Sequence, residues 1–153
     1  MAAMVPSFLT MKRLIAGLSI VAAAAYAGAI IWLVTNETAL IFENDRPFGE
    51  LRPAKPYEDA GGVRAWFMPG TAASPSAPWV IFLHGNSATI ASRTNISHYE
   101  RLRALGLNVM APEYRGYGGV SGAPSETGLA QDARRAYDAL REQKHVTPDR
   151  III

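Results

Sequence analysis

Residues 79–86 read WVIFLHGN, and residues 112–119 read PEYRGYGG. Each stretch looks like the end of a strand in a parallel sheet followed by a loop with a stereochemical task. The first is an apolar run with Pro78 before it and His84-Gly85 after it, the pattern of a strand covered on both faces. In open α/β sheets ligands bind beyond the carboxyl ends of the strands. His84, Gly85, Asn86, Gly116, Gly118 and Gly119 therefore fall where a site would be built.

The rest of the chain alternates in the same sense. Gly61-Gly62 marks a turn, and 63–68 (VRAWFM) reads as a half-buried strand ended by Pro69-Gly70. After the strand at 79–83, Ile90, Tyr99, Leu102 and Leu105 recur as a helical face, with Gly106 at its C-terminal end. Residues 107–111 form another buried strand. Ser125 is a plausible N-cap for a second helix, whose apolar face is Leu129, Ala133, Ala136, Tyr137 and Leu140, with Arg134, Arg135, Arg141 and Lys144 toward water. A turn at 147–150 leads into Ile151-Ile152-Ile153. Strand, helix, strand, helix, strand after an initial hairpin predicts an α/β fold with a mostly parallel sheet and right-handed crossovers.

Upstream of this domain, 14–34 (LIAGLSIVAAAAYAGAIIWLV) carries no charge and is long enough to cross a bilayer core of about 30 Å. Ala25-Tyr26-Ala27 and Ala27-Gly28-Ala29 resemble signal-peptide cleavage sites, but the apolar run continues past both. The reading is a transmembrane anchor, in contact with the lipid bilayer through 14–34. Lys12 and Arg13 precede it, and Glu37, Glu43 and Asp45 follow it before any basic residue. The positive-inside rule then puts 1–13 in the cytoplasm and the domain at 35–153 outside it. Pro47, Pro53 and Pro56 make 35–60 linker and edge structure, and 39–42 is either a first strand or the helix exit.

Composition excludes some functions. A net charge of +2 with mixed signs along the chain gives no basic stripe, so no nucleic-acid partner is expected. The absence of cysteine leaves the compartment open. No metal-ligand spacing is present around His98, which reads as a surface histidine, and neither metal nor cofactor is expected. The glycine loop fails the dinucleotide fingerprint, because Ser121 stands where the third glycine belongs.

His84-Gly85-Asn86 is a candidate oxyanion site: glycine lets the backbone turn so that the Asn86 N–H can face a developing negative oxygen. On the tripeptide alone, a plain turn whose histidine bonds its own loop is the better reading. Glu113 and Arg115 read as framework residues that fix the glycine loop, with Arg115 charge-paired rather than a substrate clamp. Ser121, Asp132 and His145 occur in the order of a hydrolase triad, but Ser121 lies in a loop past its strand. Asp132 and His145 are over three turns apart on or just after one helix, so the three cannot converge.

Taken together, FLHGN, EYRGYGG, Gly122-Ala123-Pro124-Ser125-Glu126, a helix and then PDRIII resemble the N-terminal half of the α/β-hydrolase superfamily over 38–153. The nearest branch is that of membrane-anchored serine hydrolases with an HGN oxyanion motif. The resemblance implies a serine hydrolase of ester, thioester or amide substrates, with a small acyl-type substrate. Asn86 would supply oxyanion stabilisation, with Gly85 and Ser87 shaping the loop and His84, Glu113, Arg115, Gly116 and Gly118 as structural motif residues near the site. It also implies that the nucleophile, acid and histidine lie beyond Ile153, so that the chain to Ile153 is expected to be inactive and 38–153 alone to be marginal or aggregation-prone in water. A truncated non-catalytic product or an anchored binding module is the alternative.

Overall fold

The computed structural model describes residues 8–43, 58–72 and 74–153. The chain divides into two compact units, Met1–Ile41 and Phe42–Ile153. The prolines at 47, 53 and 56, expected in a linker, lie outside the described residues, as does the start of the N-terminal segment.

In the first unit, α1 (Phe8–Thr35) is one uninterrupted helix of 28 residues with no buried side chain. It begins ahead of the uncharged run and takes in Lys12 and Arg13; at 1.5 Å per residue it is about 42 Å long. Its last carbonyls are met by side chains. Thr35 Oγ1 donates to Ile31 O at 2.8 Å and Asn36 Nδ2 donates to Trp32 O at 2.8 Å, satisfying acceptors that a helix end leaves open. A short α2 (Glu37–Ile41) follows, so 39–41 is helix and not a first strand.

The second unit is a sheet between two helical layers. Its strands are β1 (Glu58–Asp59), β2 (Arg64–Met68), β3 (Trp79–Ile81), β4 (Asn108–Glu113) and β5 (Ile151–Ile152), and its helices are α3 (Arg93–Ala104) and α4 (Glu126–Glu142). They lie in the order β1-β2-β4-β3-β5. β1 and β2 form the initial hairpin; β2 runs antiparallel to β4, whereas β3 is parallel to both β4 and β5. The hairpin turns through Gly61 and Gly62, at φ 67° and 86°, values that favour glycine.

The crossover from β3 to β4 moves one way along the sheet, and the crossover from β4 to β5 moves back across β3. Two right-handed crossovers in opposite directions must use opposite faces. The core shows this division. Trp66, Ile90, Tyr99, Val109 and Ala111 form one cluster, while Phe67, Ile81, Met110, Ala136 and Leu140 form the other. Adjacent residues of β2 and β4 alternate between the two clusters, as side chains of a strand must. Because both faces are covered, Ala65, Trp66 and Phe67 are all buried, and β2 is more enclosed than the half-buried strand its sequence suggests. Every residue of β4 is buried.

Several boundaries differ from the sequence reading. β3 ends at Ile81, with one further bond from Phe82 N to Met110 O at 2.8 Å, and Leu83 is exposed. Ile90 is fully buried but lies in the turn before α3, and Leu105, expected on its apolar face, is 76% exposed. α4 fits the expectation closely: Ser125 Oγ accepts from Gly128 N at 3.1 Å, an N-cap bond, and Ala136 and Leu140 face the core.

Candidate functional site

The loops that leave β3 and β4 meet at the carboxyl end of the parallel strands, beside the point where the crossovers diverge. Their junction is a buried pair. His84 Nε2 lies 2.7 Å from Glu113 Oε1, and the two side chains are 1% and 0% exposed. The other Glu113 oxygen, Oε2, accepts from Ile90 N at 3.1 Å. One carboxylate therefore ties the loop after β3 to the turn before α3.

His84 Nδ1 lies 3.0 Å from Gly85 O. A carbonyl only accepts, so Nδ1 carries a proton and donates. Nε2 then either donates to an ionised Glu113 or accepts from a protonated one, and in both states the pair holds one proton between Nε2 and Oε1. Both ring nitrogens are engaged, so His84 is unsuited to act as a base on a ligand. Its effect is steric and directional. The Gly85 carbonyl and the Asn86 N–H belong to one trans peptide plane and point oppositely, so holding the carbonyl toward the ring turns the Asn86 N–H away from it. Gly85 and Asn86 are exposed.

The glycine loop closes over this junction. Gly118 has φ 55°, and a Cβ there would overlap the Glu113 carboxylate, so only glycine lets the loop approach. Tyr114 and Tyr117 flank the imidazole, with ring centroids 4.7 and 5.5 Å from it. Burial, then the charges of Asp132 and Glu113, push the Tyr114 hydroxyl up to about 12. Tyr117 is raised as well, by burial and then by Glu43 and Glu113. Both phenols stay neutral over the physiological range. Tyr117 OH donates to Asn86 Oδ1 at 2.8 Å.

Arg115 turns outward to α4, where its Nη2 and Nε reach Asp132 Oδ1 and Oδ2 at 2.6 and 2.9 Å and its backbone N reaches Oδ2 at 3.1 Å. Burial opposes ionisation of Asp132, but the hydrogen bonds and charge of Arg115 outweigh it and hold the carboxyl below its usual range. The same side-chain bond raises the Arg115 guanidinium. Arg115 is thus charge-paired, with Asp132 as its partner.

Ser121 and Asp132 line one cavity of about 330 Å³ together with Arg64, Glu113, Arg115 and Arg135. His145 does not line it, and Asp132 is committed to Arg115. His98 is exposed and stacks on Phe82 at 5.8 Å. Among the described residues no group of three or more His, Cys, Asp or Glu side chains could hold a metal ion.

Two contributors are invisible from local sequence. Asp132 is 17 residues from Arg115, and only the helical spacing of α4 hints that it faces inward. Glu43 is 43 residues from Asn86, whose Oδ1 accepts from the Glu43 backbone N at 3.0 Å, and nothing near Glu43 signals the contact.

No protein-family model matches the chain. Over 94 residues it is 40% identical to an uncharacterised protein of Mycobacterium tuberculosis, covering 61% of this chain and 32% of that one. It is 33% identical over 97 residues to the lysophosphatidylserine lipase ABHD12 of Gallus gallus, covering 63% of this chain and 25% of the relative. The chain thus spans a third or less of these relatives. Among solved structures, Est1E from Butyrivibrio proteoclasticus, with ferulic acid bound, superimposes with a TM-score of 0.52 at 19% identity, over 60% of this chain and 39% of that one. An alpha-beta serine hydrolase homologue from Coxiella burnetii gives 0.51 at 15% identity, over 62% and 49%.

Proposed function

We propose that the chain, which shares the α/β-hydrolase fold and resembles a lysophosphatidylserine lipase over part of its length, is the front part of a membrane-anchored serine hydrolase whose 84–87 loop binds the oxyanion. The observation that carries this reading is the His84 contact to Gly85 O, which aims the Asn86 N–H away from the ring at the carboxyl end of β3. A preorganised backbone donor of this kind favours a tetrahedral intermediate over a planar acyl group, because the charge it meets develops only as the intermediate forms.

The nucleophile belongs to the continuation of β5, on a sharp turn just past Ile153, with an acid and a histidine further on. The serine hydroxyl attacks the acyl carbon, the histidine takes its proton, and Asn86 N–H meets the oxyanion. Similarity to a lysophosphatidylserine lipase favours an acyl ester among the possible substrates. The uncharged stretch 14–34 within α1 spans the bilayer, with 1–13 in the cytoplasm and the domain at 35–153 outside it; its charge-free run and the basic pair Lys12-Arg13 support this.

A fluorophosphonate applied to the whole protein in detergent micelles is expected to form a covalent adduct on one serine beyond Ile153, and replacing that serine with alanine should abolish both the adduct and turnover of an acyl ester. A folded whole protein that is neither labelled nor able to cleave acyl esters or thioesters would refute the reading.

A further inference from the structure

The segment that follows α2 is bonded to the loop after β3. Glu43 meets it twice: its backbone N donates to Asn86 Oδ1 at 3.0 Å, and its carboxylate oxygen Oε2 accepts from Ser87 Oγ. The same Asn86 Oδ1 accepts from Ser87 N at 3.0 Å and from Tyr117 OH at 2.8 Å. Three chain segments, at 43, 86–87 and 117, therefore converge on one amide oxygen. Ser87 has φ 57°, a left-handed conformation that an L-residue disfavours. Such a residue keeps this conformation only when its surroundings over-determine it.

We propose that Glu43 is a positioning residue for the oxyanion loop, its carboxylate holding Ser87 in the left-handed conformation and so fixing the residue that follows the Asn86 donor. The inference rests on the hydrolase reading above. His84 fixes the peptide that carries the Asn86 N–H from one side, and Glu43 fixes the next residue from the other. Tyr117 supports the same amide oxygen from the glycine loop. Glu43 does not touch the reacting atoms in this account; it acts through Ser87. A carboxylate near an oxyanion would oppose it electrostatically, and the Ser87 hydroxyl bonded to Oε2 offsets part of that charge. A neutral side chain with an acceptor at the same place should therefore serve at least as well.

The test uses the whole protein in detergent micelles with four variants: Glu43→Ala, Glu43→Gln, Ser87→Ala and the Glu43→Ala/Ser87→Ala double. Glu43→Ala is expected to lower kcat by about tenfold and to weaken an alkyl boronic acid, which forms a tetrahedral adduct, by about the same factor, with KM within about twofold. Glu43→Gln should stay within about threefold of the parent, and the double variant should be no worse than the single alanine variants, because both remove one contact. Deuterium exchange adds a readout free of activity: amides at 85–88 should exchange about tenfold faster in Glu43→Ala while the strands keep their protection.

Unchanged exchange at 85–88 in a folded Glu43→Ala protein would overturn the proposal. Faster exchange with unchanged kcat and boronate affinity would also overturn it, since the loop would then not need Glu43 for its task. A parent protein that turns over no acyl substrate sinks the hydrolase reading instead, and the exchange measurement still decides whether Glu43 holds the loop.

Discussion

Glu113 and Asp132 each pin a loop at the carboxyl end of β4, but Glu113 is 1% exposed and faces a histidine that is itself buried, whereas Asp132 faces an arginine whose side chain is 27% exposed. The difference decides what each pair can do. The Glu113 side chain is buried, so its oxygens find partners within the protein, among them His84 Nε2 and Ile90 N. Removing the carboxylate strands both. Around Asp132 the arginine can turn to solvent if its partner is lost. The closed node shapes the loop that carries Asn86, and the open one braces the glycine loop against α4.

Four substitutions bear on this contrast, taken site by site in order of expected effect. Glu113→Ala leaves the buried His84 Nε2 and Ile90 amide without their partner and should cost about 2–6 kcal/mol, read as a fall in the urea midpoint of the whole protein. Glu113→Gln keeps acceptor capacity and should lose less. A loss below about 1 kcal/mol for the alanine variant would remove the distinction between the two nodes.

Asp132→Asn should cost about 1–3 kcal/mol at neutral pH, the worth of hydrogen bonds to a charged group. The pH dependence follows from the direction of its shift. The folded-state value is lowered, so the contribution is fully present above the ordinary aspartate value of about 3.9 and is lost as pH falls below it through the folded value. Stability of the parent should therefore fall more steeply than that of Asp132→Asn below about pH 4. Parallel curves would mean that the pair is not formed in solution. The smallest effect belongs to a side chain that is a member of neither pair. Ser125→Ala removes the N-cap bond to Gly128 N and should cost about 1 kcal/mol with no change in the acid limb.

What could be read from the sequence divides along the same line. The strands at 79–81 and 108–113 and the helix opened by Ser125 follow from local signals: an apolar run, a cap, a glycine at a turn. The alternation of strand and helix was enough for the fold. Ile90 is apolar and fits helical spacing, yet it is buried in a turn, where its amide donates to Glu113. The site itself is built from contacts at separations of 17, 29 and 43 residues, and no local pattern encodes those. Arg115 could be assigned a partner in kind but not in name. Nothing in the sequence around Glu43 signals its bond to Asn86, 43 residues away.

The most direct measurement is a crystal structure of the whole protein carrying a phosphonylated serine. The account predicts that the phosphonyl oxygen lies about 2.7–3.1 Å from the Asn86 backbone N, with the Gly85 carbonyl still turned to His84 Nδ1. A phosphonyl oxygen directed away from the 84–87 loop, or bound by donors from other loops alone, would contradict it.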